Sequence, residues 1–165
     1  MTSRVALGPL GLKALDALVL GDLELASIAI GVPLPEFFLD ERWLWQIRLD
    51  QVLADERDEP WVAWLATIDG EVVGHTGFHG RPDSEGVVEV SYTVLPERRG
   101  QGHAREMVEA LLAFCAESPA VSSVVASVSP SNAASLAVLE AHGFERVGEQ
   151  IDDVDGLEYV FRRPA

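Results

Sequence analysis

Apolar and polar positions change period several times along this chain, and each change marks an element. Residues 4–10 alternate briefly and end at Gly8-Pro9, which reads as a short strand. Leu12, Leu15, Leu18 and Val19 then recur at helical spacing until Gly21. Asp22 opens a second short helix over residues 23–30, stopped by Gly31, Pro33 and Pro35. Asp40 reads as the N-cap of a helix running to about Leu53, with Trp43, Leu44, Ile47 and Val52 turned inward, and residues 55–60 as a charged loop. Residues 61–67 and 72–79 read as strands joined at Asp69-Gly70, and residues 87–95 as the next strand. Ala104, Met107, Val108, Leu111, Leu112 and Cys115 share one face of a helix that ends near Glu117. A strand over 122–128 follows, then a helix capped by Ser131 or Asn132 and stopped near His142-Gly143. A last hairpin pairs residues 144–151 with 157–161 over Asp155-Gly156.

This order predicts an α/β (α+β) fold: a mixed central sheet of about six to seven strands, flanked by helices, with one parallel crossover. No repeat, low-complexity tract or long linker divides the chain, so one domain over residues 1–165 is expected.

The most informative change of period lies at residues 90–104. Val90, Tyr92 and Val94 alternate with Ser91, Thr93 and Leu95, and Pro96 ends the ladder because it has no N–H to donate. Arg98-Arg99-Gly100-Gln101-Gly102 follows, and the helix period starts directly after it. A strand, a glycine turn and a helix start leave amide N–H groups and the positive end of a helix dipole open to an anion. The phosphate loop with a Gly-Lys-Ser/Thr ending is absent. The third glycine of a dinucleotide fingerprint is also missing, since Arg105 stands in its place.

Composition narrows the partners. The chain has 165 residues, 48% of them apolar, which is enough for a core without metals or disulfides. Its formal net charge of −15, from 27 acidic and 12 basic residues, argues against nucleic acid and anionic membranes as partners. A cationic partner suits that charge, and simple solubility explains it as well. The single cysteine, Cys115, lies on the apolar helix face and reads as a buried thiol in a reducing compartment. Neither a leader over residues 1–10 nor a membrane span is legible, so a cytoplasmic location is expected. His75, His79, His103 and His142 show no metal-ligand spacing, and no metal is expected.

The glycine turn resembles the acetyl-CoA signature of the GNAT N-acetyltransferases, Gln/Arg-x-x-Gly-x-Gly/Ala, here Arg99-Gly100-Gln101-Gly102-His103-Ala104. Val94-Leu95-Pro96 precedes it. Some thirty residues on, SNAASLAVLEAHGFERVG resembles that family's Asn-led helix ending in Gly-Phe. The spacing Asn132-x-x-Ser135 is similar to the branch that includes the ribosomal-protein-alanine N-acetyltransferases. The resemblance implies that amides from Gly100, Gln101, Gly102, His103, Ala104 and Arg105 hold the coenzyme A pyrophosphate, with Arg98 and Arg99 adding charge. It implies that backbone groups of Tyr92, Thr93 and Val94 pair with the pantetheine arm. An N–H near Val94 or Leu95 would face the thioester oxygen, and Asn132 would bond the arm.

It further implies an enzyme: acetyl passes from acetyl-CoA to a primary amine by direct attack, with a protein or peptide N-terminus as the acceptor of that branch. Glu89 is the expected base and Ser135 the expected proton donor, because the tyrosine many members carry seven residues after the asparagine is Leu139 here. Tyr92 is a fallback donor. Each residue has a plainer reading: Asn132 as an N-cap, Ser135 as a backbone-bonding helical serine, Glu89 as an exposed strand residue, the arginine pair as a solvated turn. Phe37, Phe38, Trp43 and Trp45 read as core. His75 and His79 share a strand face that could line the acceptor groove. An antibiotic or metabolite amine is the alternative acceptor, and a catalytically silent acyl-CoA-binding module the alternative class. A monomer and a homodimer are both compatible.

Overall fold

A computed structural model of the chain describes residues 4–165; the first three positions of the stretch read above for a leader lie outside the described residues. Seven strands form one mixed sheet, β1 (Ala6–Pro9), β2 (Trp64–Ile68), β3 (Glu71–Phe78), β4 (Val87–Val94), β5 (Ser123–Val128), β6 (Glu145–Asp152) and β7 (Gly156–Pro164). Their order across the sheet is β1-β2-β3-β4-β5-β7-β6. Only β4 and β5 run parallel, and all other neighbours are antiparallel. The mixed sheet and its one parallel crossover are those expected from the change of period after β4.

Helices cover both faces. On one lie α1 (Gly11–Leu20), α2 (Leu23–Ile30), α3 (Phe37–Asp40) and α4 (Arg42–Ala54), with the short α5 (Glu59–Val62) leading into β2. Their core joins Leu15, Leu18, Ala26, Phe38, Trp45 and Leu49 to Leu65 of β2 and to Leu95, just past β4. On the other face lie α6 (His103–Glu117) and α7 (Ala133–Ala141). There Val108, Leu111, Cys115 and Leu139 pack on Val88, Val90, Val124 and Ala126. The alternation of β2 serves both cores, since Leu65 belongs to the first and Trp64 to the second.

Four expectations need correction. Asp40 does not cap the long early helix; it ends α3, and Glu41 precedes α4 without a side-chain cap. The charged loop over 55–60 is instead a 3₁₀ turn (Glu56–Asp58) followed by α5, started by Asp55, whose carboxylate accepts from the Arg57 N–H. Trp61 is therefore helical, and β2 begins at Trp64. The inward face of α4 is also rotated from the expected one. Trp45, Arg48, Leu49 and Val52 are buried, whereas Trp43 is 57% and Ile47 48% exposed. Trp45 wins the core position because it stacks on Phe38 at 5.4 Å and donates its indole N–H to the Phe38 carbonyl at 2.7 Å.

Gly74 in β3 sets the approach of α6 to the sheet. A Cβ there would overlap the Thr93 carbonyl oxygen and come within 2.7 Å of the Met107 Cε.

Candidate active site

The sheet is split in the middle. β4 and β5 pair only through Val87, Val88 and Glu89, matched with Ser123, Val124 and Val125. Beyond Glu89 the strands part, although β4 continues to Val94 and β5 to Val128. Which backbone groups line the gap follows from the register with β3. His79 N–H donates to the Glu89 carbonyl at 2.8 Å and Leu95 N–H to the Val73 carbonyl at 2.9 Å. In an antiparallel pair such bonds recur at every second residue. Glu89, Ser91, Thr93 and Leu95 thus spend their backbone groups on β3, and Val90, Tyr92 and Val94 turn theirs toward the gap. This corrects two expectations. The Leu95 N–H is already bonded, which leaves Val94 as the donor nearest the strand end, and Thr93 offers the gap no backbone group.

The glycine turn stands at the open end of this gap. Gly100 and Gly102 have φ of +74° and +85°, a left-handed conformation that side chains disfavour. A Cβ at either would meet nothing within 4 Å, so the turn is open in front. Gly102 is the N-cap of α6 and brings no side chain to cap it; the first backbone bond of the helix is Glu106 N–H to Gly102 C=O. The amides of His103, Ala104 and Arg105 are left for an external acceptor. Uncapped amides facing open space fit a pyrophosphate.

The side chains around the turn are less free than expected. Arg98 bonds Glu71 at 3.1 Å, Arg99 Nε donates to the Val94 carbonyl at 3.1 Å, and Arg105 pairs with Glu109 at 3.4 Å. Arg99 is exposed and ties the turn to the end of β4. His103 is buried, and neither ring nitrogen has a partner. Burial foremost, then Arg98, holds its pKa below the ordinary value, against the pull of Glu106.

A cleft of about 880 Å³ runs from the face of α4 through the split. It brings together Glu89, Tyr92, Thr93, Asn132 and Ser135, whereas Arg98 to Arg105 lie outside its walls. On the α4 side, His79 Nδ1 is 3.4 Å from Glu89 Oε2. Burial lowers the His79 pKa against the opposing pull of Glu89; Arg48 lowers it further and Asp152 raises it. Arg48 is itself buried, which lowers its pKa, with Glu89 acting to raise it. Its guanidinium donates to Gln51 at 2.8 Å, and Gln51 in turn donates to the His79 carbonyl. His75 has a different role. It is sealed between Phe38 and Trp45 and lies 3.0 Å from Glu41, so it ties β3 to the start of α4.

Toward α7, the Asn132 Oδ1 accepts the Ser135 N–H at 3.1 Å, the N-cap arrangement, and the amide Nδ2 is the end left for a ligand. Leu139 is fully buried in the α6–α7 core. Tyr92 Oη is cut off from solvent and has no partner at hydrogen-bonding geometry. Burial raises its pKa, and its interaction with Ser135 works in the opposite direction. A sealed hydroxyl without a full hydrogen bond costs about 1–3 kcal/mol.

Sequence reasoning missed Arg48, Asp152 and Gln150 as cleft residues and read Trp43 as core; all four line the cleft. Trp43, Ile47 and Val154 line it as exposed apolar side chains. A helix that exposes tryptophan while burying arginine was the available signal. Among the described residues no group of three or more His, Cys, Asp or Glu could hold a metal ion, and no helix is long and apolar enough to cross a membrane.

The model of the acetyltransferase (GNAT) domain family matches residues 4–145. The chain belongs to the GNAT acetyltransferase family. A curated relative, the uncharacterized N-acetyltransferase YjdG of Bacillus subtilis (strain 168), is 32% identical over 74 residues. That match spans 45% of this chain and 44% of YjdG, less than half of the relative's length. Among solved structures, Mycobacterium smegmatis RimJ in complex with CoA-disulfide has a TM-score of 0.69 at 20% identity, covering 98% of this chain and 82% of that one. Aminoglycoside acetyltransferase AAC(6')-Ib in complex with coenzyme A has a TM-score of 0.65 at 22% identity, covering 97% and 94%. Both share this GNAT fold.

Proposed function

We propose that this GNAT domain transfers acetyl from acetyl-CoA to the α-amino group of a protein or peptide, in a ternary complex. The observation that carries the reading is the split between β4 and β5, with open amides at one end and the Glu89–His79 pair beside it. The glycine-turn amides would hold the pyrophosphate, and the gap-facing groups of Tyr92 and Val94 would hold the pantetheine arm with Asn132 Nδ2. Acetyl-CoA supplies an activated acyl thioester. Val94 N–H stabilises the negative charge that develops on the thioester oxygen.

The attacking amine must be neutral. Glu89 and His79 accept its proton, with the buried Arg48 charge acting on His79 and in turn acted on by Glu89. A base whose pKa is held below the ordinary histidine value suits an α-ammonium at about 7.7–8.0 far better than a lysine ammonium at about 10.4. This favours an N-terminus over a lysine side chain and agrees with the Asn132-x-x-Ser135 likeness to the ribosomal-protein branch. The fold neighbours include an acetyl transferase that modifies the N-terminal serine of ribosomal protein L7/L12 in Salmonella typhimurium. Asp152, Asp155 and Glu158 on the cleft rim suit a basic acceptor. The same acidic rim supports a second reading, a polyamine or aminoglycoside acceptor.

Mass spectrometry after incubation with acetyl-CoA decides between them. Peptides with free and with blocked N-termini, a polyamine and an aminoglycoside are offered in parallel. Acetylation confined to free α-amino groups is expected. Acetylation of the small amines alone selects the second reading, and coenzyme A binding without any acetylated amine leaves a silent binding module.

A further inference from the structure

We infer that Arg48 recognises the acceptor: its guanidinium takes the oxygen on the carbon next to the one that carries the reacting amine. That oxygen is a carbonyl in a peptide N-terminus and a carboxylate in a free amino acid. The inference rests on the acetyltransferase reading above and deepens it. Arg48 lies on the buried face of α4 with Trp45, Leu49 and Val52, and is 7% exposed. An arginine this deep is ordinarily paired with a carboxylate, because burying its charge alone is costly. Among the described residues Arg48 forms no ion pair, and its hydrogen bond runs from Nη1 to Gln51 Oε1 at 2.8 Å. A guanidinium is a planar fork of N–H donors, and a single amide oxygen uses only part of it.

The carboxylates of the cleft are engaged elsewhere. Glu41 lies 3.0 Å from His75, and Glu89 lies 3.4 Å from His79. Asp152 accepts the Val154 and Asp155 N–H groups, and Glu158 accepts from Gln150. Arg48 lines the same cleft, beside the pair that takes the amine proton. Gln51 fixes that place: its Oε1 holds Arg48 while its Nε2 donates to the His79 carbonyl, and the His79 N–H donates to the Glu89 carbonyl. An amine held at Glu89 and His79 thus has a cation next to it. The cation disfavours the ammonium form and attracts an oxygen carried one carbon further on. A polyamine or an aminoglycoside brings no carbonyl or carboxylate to this place, and a second ammonium is repelled there.

Two measurements test the contact. The first offers alaninamide, a peptide beginning with alanine, free alanine and ethylamine, which lacks the carbonyl group, as acceptors. Arg48→Gln should lower kcat/KM for alaninamide and the peptide about 10- to 100-fold more than for ethylamine, mainly through KM. Arg48→Lys keeps the charge without the fork and should fall in between. Taking each loss relative to ethylamine removes the general damage of a substituted core and the differing basicity of the amines. Free alanine turned over faster than alaninamide assigns the oxygen to a carboxylate, and the reverse order assigns it to a peptide carbonyl; both keep the contact. The second measurement needs no variant. With coenzyme A bound to the wild-type protein, N-acetylalaninamide should compete with the acceptor about tenfold more strongly than N-ethylacetamide, both being uncharged. Equal losses for alaninamide and ethylamine in both variants, or equal inhibition by the two amides, overturns the contact. Wild-type protein that binds coenzyme A and acetylates no amine overturns the underlying reading instead.

Discussion

Glu89 of β4 and His79, one residue past the end of β3, stand opposite each other, joined by a backbone bond of 2.8 Å and by side chains 3.4 Å apart. Being on one face of paired backbone, they meet at the mouth of the split without any loop having to order. Glu89→Gln should lower kcat/KM for the amine about 10²-fold and leave the Kd of acetyl-CoA unchanged. The pH profile of kcat/KM should carry two rising limbs. One lies below the ordinary histidine value, from the His79 pKa lowered by burial, and the other near 7.7–8.0, roughly, from the acceptor. His79→Gln should remove the lower limb only; a profile that keeps it takes His79 out of the proton path.

Gly102→Ala forces a side chain into a left-handed conformation at the N-cap of α6. The strain is about 1–2 kcal/mol, and the turn can relieve it only by moving the amides. Calorimetry should show coenzyme A binding weakened about tenfold, with a smaller change in Tm. Unaltered affinity would mean that the pyrophosphate lies elsewhere.

Cys115 is buried, and burial pushes its thiol pKa up to about 11, which only Arg163 opposes. A thiol of this kind forms no acyl intermediate. Cys115→Ala should keep kcat within about twofold while costing about 1 kcal/mol of stability. Initial-rate patterns with varied acetyl-CoA and amine should intersect; parallel lines would point to a covalent intermediate.

Trp43 is 57% exposed on the cleft lip, whereas Trp45 is buried two positions on. Trp43→Ala should raise KM for the acceptor severalfold with Tm unchanged. Trp45→Ala should instead cost about 3–5 kcal/mol, read as a large drop in the urea midpoint. Equal effects of the two would contradict the rotation of α4 described here.

Asp55, Asp83 and Asp152 all have pKa values held below the ordinary carboxylate value. Asp55 owes this first to its side-chain bond with Arg57, and the other two to backbone N–H donors. Their folded pKa values lie below the unfolded ones, so the stability they add is present above about pH 4 and is lost as pH falls through the folded values. The urea midpoint should decline steadily from pH 5 to about pH 3. Asp83→Asn should flatten that decline, and an unchanged slope would remove Asp83 from the acid transition.

The amino-acid sequence determined by itself what depends on neighbours along the chain. The anion cradle at Gly100–Gly102, the N-cap at Asn132, the apolar face of α6 and the parallel crossover are all local in period or spacing. The tertiary structure decided what depends on register and on the rotation of helices. Residue spacing cannot make His79 and Glu89 opposite; the β3–β4 register, continued by the His79 N–H to Glu89 carbonyl bond, does. A mixed apolar face over residues 42–54 admits two rotations of α4, and the stacking of Trp45 on Phe38 selects one. Tyr92 and Ser135 are forty-three positions apart, and only the parting of β4 from β5 brings both residues to the walls of one cleft.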